Sequence, residues 1–395
     1  MVDKDRIEGD LIKINKKLLP LSWLYGLGVG FRNLLFEMGI LKSRSFSVPV
    51  ISVGNITVGG TGKTPHVEYL IRLLKDHAKV AVLSRGYKRK SHGFVLADKN
   101  STVNDIGDEP YQMKTKFPDI TVAVDRKRTR GIDKLTNGEC VKGIDVIFLD
   151  DAFQHRYVKP GINILLVDYH RLVIYDTLMP AGRLREPVKS KDRADVVIVT
   201  KCPKDLKPME FRVITKAMKL YPYQQLFFSA HEFESLKQVF GKDQKPLESL
   251  ADKNVMLLTG IASPEQMLTD LKGYAKEVTP LAFSDHHAFN QKDIEQINET
   301  FSSLPSPKLI ITTEKDETRL LQVEGLSNEV RSHLYVLPIK IQILLDQEKA
   351  FNQTIISYVR KNSRNSILAE KPDDHKPKDS NHSGDRPRTI SFRNI

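Results

Sequence analysis

The sequence predicts an α/β fold: a mostly parallel sheet flanked by helices, followed by a smaller α/β lobe and preceded by an amphipathic helix. Three observations predict it. Apolar runs of strand length recur at 48–53, 79–83, 144–149, 162–167, 194–199, 224–229, 254–258 and 308–312. They are near-continuous rather than alternating, as in strands covered on both faces. Stretches with helical character, such as 65–77 and 204–221, fall between them. The first run ends in a glycine-rich loop, Gly54-Asn55-Ile56-Thr57-Val58-Gly59-Gly60-Thr61-Gly62-Lys63-Thr64, and Pro65 then opens a segment with Val67, Leu70, Ile71 and Leu74 at helical spacing.

Strand, glycine loop, Gly-Lys-Thr and helix together are the geometry that holds nucleotide phosphates, so the sheet is expected to be P-loop NTPase-like. Glycines let backbone N–H groups turn inward with no Cβ in the way, and a helix N-terminus favours negative charge. On this reading Thr57, Val58, Gly59, Gly60, Thr61, Gly62, Lys63 and Thr64 form the nucleotide cradle. Lys63 reaches the outer phosphates and the Thr64 hydroxyl takes Mg²⁺. The usual pattern has glycine where this chain has Thr57, and Gly59 and Gly60 sit inside the loop instead.

The 395 residues suffice for two or three domains. We place an amphipathic region at 1–46, the P-loop core at 47–228, the smaller lobe at 229–365 and a disordered tail at 366–395. The tail is polar and proline-broken from Glu370 onward and cannot bury enough apolar surface to offset its ordering entropy. Apolar residues make up 40% and charged residues 28% of the chain, in the range of a globular protein with a substantial core. A net charge of +12 calls for an anionic partner. Two cysteines, Cys140 and Cys202, without ligand spacing argue against a zinc site and suit a reducing compartment.

Between Leu18 and Leu41 the chain is apolar but interrupted by Arg32, Asn33 and Glu37, too broken to span a bilayer. Leu24, Leu27, Phe31, Leu34, Leu35, Met38 and Leu41 fall on one side of a helix, Trp23 and Tyr25 sit near its start, and Lys42 and Arg44 follow it. The pattern fits a helix lying in a membrane interface, and equally one packed on its own core.

Carboxylates follow the strands. Ile144–Leu149 ends in Asp150-Asp151, where a P-loop enzyme keeps the aspartate that helps hold Mg²⁺, although Asp is also common in strand-end turns. Gly107-Asp108-Glu109-Pro110 offers Asp108 to orient or accept a substrate hydroxyl proton and Glu109 to stand near the metal. Its plain alternative is an acidic first turn of a helix. Asp285-His286-His287 could relay a proton, or simply form a surface loop or helix cap. Three basic clusters lie in loops after strands: Arg85-Gly86-Tyr87-Lys88-Arg89-Lys90, Arg126-Lys127-Arg128-Thr129-Arg130 and Arg183-Leu184-Arg185. Such loops are where open α/β sheets bind ligands, and arginine there can fork onto phosphate. Without interleaved aromatics the clusters do not suit single-stranded nucleic acid.

These motifs, in this order, resemble the tetraacyldisaccharide 4'-kinase family, the lipid A kinases. The resemblance is carried by Val53–Pro65, Ser84-Arg85-Gly86-Tyr87, Gly107-Asp108-Glu109-Pro110, Leu149–Arg156, Pro180–Pro187, Asp285-His286-His287, Thr312-Thr313-Glu314-Lys315-Asp316 and the N-terminal Leu19–Gly26. It covers about residues 18 to 360, and the form of the loop at Thr57 is the family's own. The resemblance implies transfer of phosphate from ATP, with Mg²⁺, to the 4'-hydroxyl of a tetraacylated disaccharide 1-phosphate, a lipid A disaccharide precursor, at the cytoplasmic face of a bacterial inner membrane. It implies Asp108 with His286 as the base pair, Lys63 and Thr64 on phosphates and metal, and Glu109, Asp150 and Asp151 around the metal. Arg85, Arg183, Arg185 and Glu186 would lie near the lipid head group, and the N-terminal helix would be a peripheral membrane anchor. Nucleic acid and an obligate protein partner are not expected. The competing readings are a regulatory GTPase or nucleotide-dependent metal-delivery protein and a basic nucleic-acid-binding ATPase. The first lacks its guanine signature, since Thr200-Lys201-Cys202-Pro203 has proline where [NT]-K-x-D has aspartate.

Overall fold

The structure, a computed structural model, describes residues 12, 14–261, 264–285 and 287–362. The expected tail at 366–395 and His286 lie outside the described residues.

Two sheets organise the chain. The first is built from β1 (Val50–Gly54), β2 (Val80–Ser84), β3 (Val95–Leu96), β4 (Thr121–Val124), β5 (Val146–Asp150), β6 (Ile162–Asp168), β7 (Val196–Thr200) and β8 (Gln225–Phe233). The second contains β9 (Leu236–Gln238), β10 (Gln244–Lys245), β11 (Asn254–Thr259), β12 (Glu277–Ala282), β13 (Lys308–Thr312) and β14 (Leu334–Val336). The chain then returns to the first sheet as β15 (Ile339–Ile343), antiparallel to β8. Strand order is β15-β8-β7-β6-β1-β5-β2-β4-β3 in the first sheet and β10-β9-β14-β13-β11-β12 in the second.

The helices are α1 (Leu19–Glu37), α2 (Lys63–Leu74), α3 (Val103–Ile106), α4 (Asp108–Lys116), α5 (Arg128–Thr136), α6 (Pro208–Met218), α7 (Glu265–Lys272), α8 (Gln291–Ser303), α9 (Glu314–Leu320), α10 (Asn328–His333) and α11 (Glu348–Asn362). Every strand expected from the apolar runs is present with ends within two residues, except that β8 continues four residues past the expected 229, and the helices at 65–77 and 204–221 appear as the shorter α2 and α6. The runs are continuous because both faces of the sheet are covered. Ile51, Val53, Val82, Phe148 and Ile198 pack with α2 and α11. Leu83, Ile147 and Leu149 pack with Ile132 and Leu135 of α5, while Val197 and Val199 pack with Ile214 and Met218 of α6. β15 and α11, within 229–365, therefore lie against the first sheet.

β1, β2, β4, β5, β6 and β7 run parallel, so their carboxyl ends share one edge. That edge carries the glycine loop, Arg85, Asp125, Asp150-Asp151, Asp168 and Lys201. A cleft outside the carboxyl ends of an open α/β sheet is the general ligand position.

α1 does not pack its apolar side on the core of its own chain. It buries Ser22, Asn33 and Phe36 and leaves its apolar side outward. Trp23 is 71% exposed, Leu27 70% and Phe31 63%, with Leu24, Leu34, Met38 and Ile40 also exposed. Ser22 Oγ donates to Leu178 O at 2.9 Å, and Arg156 Nη1 donates to Asn33 Oδ1 at 3.1 Å. Ser22 and Asn33 dock the helix together with Phe36, while Leu21, Trp23, Leu24, Leu27, Phe31 and Leu34 face away, so most of the large apolar surface is outward, unlike an ordinary surface helix. Among the described residues no helix is long and apolar enough to cross a membrane.

Candidate active site

The glycine loop is held from several sides. Gly62 adopts φ +80°, a left-handed turn that a side chain rarely accepts, and Lys63 becomes the first residue of α2. Asn55 Nδ2 donates to Thr61 Oγ1 at 2.8 Å, and Thr200 Oγ1 donates to Thr61 O at 3.1 Å. His66 Nδ1 donates to Gly62 O at 2.7 Å, so its Nε2 accepts the Ser229 hydroxyl at 3.0 Å. Burial lowers the His66 pKa to about 4, which keeps that ring neutral. Val58 N donates to Arg183 O at 2.8 Å, Arg185 N donates to Ile56 O at 2.7 Å, and Thr57 bridges Leu184. Thr57 and Val58 are thus paired into the wall behind the loop. Gly59, Gly60, Thr61, Gly62, Lys63 and Thr64 line a cavity of about 690 Å³.

Asp150 and Asp151 close the far side of the loop. Asp151, at φ +45°, lies 3.7 Å from Lys63 Nζ and 3.4 Å from Arg185 Nη1. Burial opposes its ionisation, but Lys63 and Arg185 outweigh it and hold the carboxyl below its usual range. Asp150 is fully buried; its Oδ2 accepts Ser84 Oγ at 3.2 Å and its Oδ1 has no protein partner. Burial, then the charges of Glu109 and Asp151, push its pKa up to about 7. Like charges gathered out of water favour a cation at this point.

Glu109 reaches the cavity from the start of α4. Gly107 before it sits at φ +90°, and a Cβ there would come within 2.8 Å of Tyr87 O, so only glycine lets this turn close. Asp108 points toward α9: Arg319 Nε and Nη2 donate to its Oδ2 at 3.0 and 2.6 Å. Lys315 lies 3.7 Å from Glu109 and 3.4 Å from Asp285. His287 Nε2 meets Asp293 Oδ2 at 2.8 Å, at the start of α8.

The basic residues divide. Arg85 lines the main cavity and also an adjoining one of about 300 Å³ with Lys88, Arg89, His92 and Arg126. Arg185 lines the main cavity, as does Glu186, which is buried and paired with Arg193 and, at 4.0 Å, with Arg32. Arg183 is exposed and contributes its backbone to the loop rather than lining the cavity.

Several lining residues carry no sequence signature. Tyr25, Val29 and Arg32 come from α1, and the Tyr25 hydroxyl donates to Arg185 O at 2.8 Å. Arg32, which interrupts the apolar stretch, was the available signal. Lys201, His231 and Ile339 come from β7, β8 and β15 ends, and Gln266 and Asp270 from α7.

Comparison with known proteins decides what this cleft belongs to. A family model described as tetraacyldisaccharide-1-P 4'-kinase matches residues 14–360. The chain belongs to that family. Its relatives include the tetraacyldisaccharide 4'-kinase of Phocaeicola vulgatus, 59% identical over 91% of this chain and 99% of that protein. That of Bacteroides thetaiotaomicron is 54% identical over 92% of this chain and 98% of its own. Among solved structures, the Aquifex aeolicus LpxK in complex with ATP superposes with a TM-score of 0.66 at 31% identity, covering 87% of this chain and 99% of that one. The family extent takes in both sheets and α1, so the loop, the carboxylates and the outward-facing helix all fall within it.

Proposed function

We infer that the chain is an ATP-dependent lipid kinase that phosphorylates the 4'-hydroxyl of a tetraacyldisaccharide 1-phosphate, giving the 1,4'-bisphosphate of lipid A biosynthesis. One observation carries the reading: the family match over residues 14–360 takes in a cleft that Gly59–Thr64, Asp151 and Glu109 line together.

In this reading the backbone N–H groups of Gly59–Thr64 and the Lys63 ammonium hold the nucleotide phosphates. The residues fit Mg²⁺. Asp150 Oδ1 is buried without a partner, and its neighbour Asp151 lines the cavity with Thr64 and Glu109. Among the described residues no three His, Cys, Asp or Glu side chains converge to bind an ion by themselves. Mg²⁺ needs no such cage, because it takes one or two carboxylates and completes its shell with phosphate and water. Thr64, Asp150, Asp151 and Glu109 are its candidate holders, and the ion when bound neutralises charge on the transferring group. Asp108, assisted by His286, takes the proton from the sugar hydroxyl. That oxygen attacks the terminal phosphorus, the bond to the ADP oxygen breaks, and ADP leaves. Lys63 stabilises charge on the departing and equatorial oxygens. Arg85, Arg185 and Glu186 line the acceptor side.

The outward apolar face of α1 is proposed to sit in the inner-membrane surface, bringing the acylated acceptor to the cleft through Tyr25 and Arg32. Replacing Leu24, Leu27 and Phe31 together by glutamate is expected to abolish co-sedimentation with anionic vesicles while leaving thermal stability unchanged. Undiminished sedimentation would remove the anchor role. The reaction itself is tested by mass spectrometry of a tetraacyldisaccharide 1-phosphate incubated with ATP and Mg²⁺. A gain of one phosphate on the distal sugar is expected, and an unmodified acceptor refutes the function.

A further inference from the structure

The carboxylate nominated as the base is gripped by a residue from the other sheet. Arg319 of α9 is 211 positions from Asp108, yet both its Nε and Nη2 donate to Asp108 Oδ2. Both donors converge on one carboxylate oxygen, a charge-assisted contact that fixes where that oxygen sits. The guanidinium is itself held: Nη1 donates to Asp316 Oδ1 at 2.9 Å and to Gly260 O at 3.3 Å. Asp316 is fully buried, and its Oδ2 accepts Gly260 N at 2.9 Å and Thr313 Oγ1 at 2.7 Å. The chain of bonds therefore runs from the ends of β11 and β13, through α9, to the first residue of α4.

We propose that Arg319 is a positioning residue for phosphoryl transfer, aiming the Asp108 carboxylate from the second sheet; this rests on the reading of Asp108 as the base. Neighbouring pairs tie the same two helices. Lys315 stands between Glu109 and Asp285, and Lys116 of α4 contacts Glu314 of α9 and, at 2.6 Å, Glu68 of α2. These pairs hold α4 beside α9, so Arg319 is not needed merely to join the sheets. Its distinct contribution is orientation at the reacting hydroxyl, where a displacement of about 1 Å costs roughly a hundredfold in rate.

The test compares Arg319→Met and Arg319→Lys with Asp108→Asn in the full-length protein, measuring kcat, KM for ATP and ATP affinity by calorimetry. Arg319→Met is expected to lower kcat about 100-fold with KM for ATP within about twofold, and Arg319→Lys to regain about tenfold of that loss. Adding Arg319→Met to Asp108→Asn should change the residual single-turnover rate by less than about twofold, because the residue acts through the missing carboxylate. A strut role alone would instead multiply the two losses, and that result overturns the proposal. So does an unchanged kcat in Arg319→Met when Asp108→Asn is inactive. An Asp108→Asn variant with full turnover overturns the base reading itself, a separate result. If Arg319→Met loses ATP binding through misfolding, Asp316→Asn takes its place, since it keeps the guanidinium but slackens its anchor. A fall in kcat at unchanged ATP affinity supports the proposal, and an unchanged kcat overturns it.

Discussion

Asp108→Asn is expected to reduce phosphoryl transfer about a thousandfold, within the range a positioned general base supplies, while ATP affinity stays within about twofold. The two halves of that expectation come from different parts of the cleft. ATP affinity belongs to the loop and Lys63, and the substitution touches neither. Asparagine is nearly isosteric and its side-chain oxygen can still accept from Arg319, while the Lys315–Glu109 and Lys116–Glu314 pairs keep α4 beside α9. What disappears is an atom able to take the proton of the sugar hydroxyl. Measuring ADP release with acceptor present, alongside calorimetry with ATP alone, separates the two effects. Full turnover in the variant would place the base elsewhere.

Lys63→Met is expected to cost about a thousandfold in kcat/KM, the scale seen when a preorganised donor to a developing charge is removed. Here the loss has two physical sources. The ammonium no longer meets the phosphate oxygens, and Asp151 loses the cation 3.7 Å from its carboxylate. Asp150, Asp151 and Glu109 then present their charge to the polyphosphate with less compensation, so ATP affinity falls as well as turnover. That joint fall distinguishes Lys63→Met from Asp108→Asn, in which turnover falls alone. Titration calorimetry with ATP and Mg²⁺, paired with initial rates, reads both. ATP affinity unchanged in Lys63→Met would mean that the lysine does not face the phosphates.

Much of this cleft could be read from neighbouring residues. Gly62-Lys63-Thr64 after an apolar strand is a local pattern, and the left-handed turn at Gly62 follows from the missing Cβ. Asp150 at the end of β5 was equally visible, because the apolar run and the acid adjoin. The pattern did not show how Thr57 and Val58 are held. They belong to the same loop, but Val58 N donates to Arg183 O and Arg185 N to Ile56 O, which sets Thr57 beside Leu184 along its outer wall. Arg183 and Arg185 look alike in sequence, but only Arg185 reaches Asp151.

Apolar periodicity, glycine placement and strand-end acids determined on their own that this chain forms a phosphate-loop sheet with carboxylates at its edge. These signals are local: they reflect which face of an element leaves water and which backbone angles a residue tolerates. Tertiary structure alone decided that Arg319 would grip Asp108, that β15 would return to the first sheet, and that α1 would bury Ser22 and Asn33 while turning Trp23 and Leu27 outward. Charge pairing and docking depend on distances between segments far apart in the chain, and no short-range pattern encodes those distances.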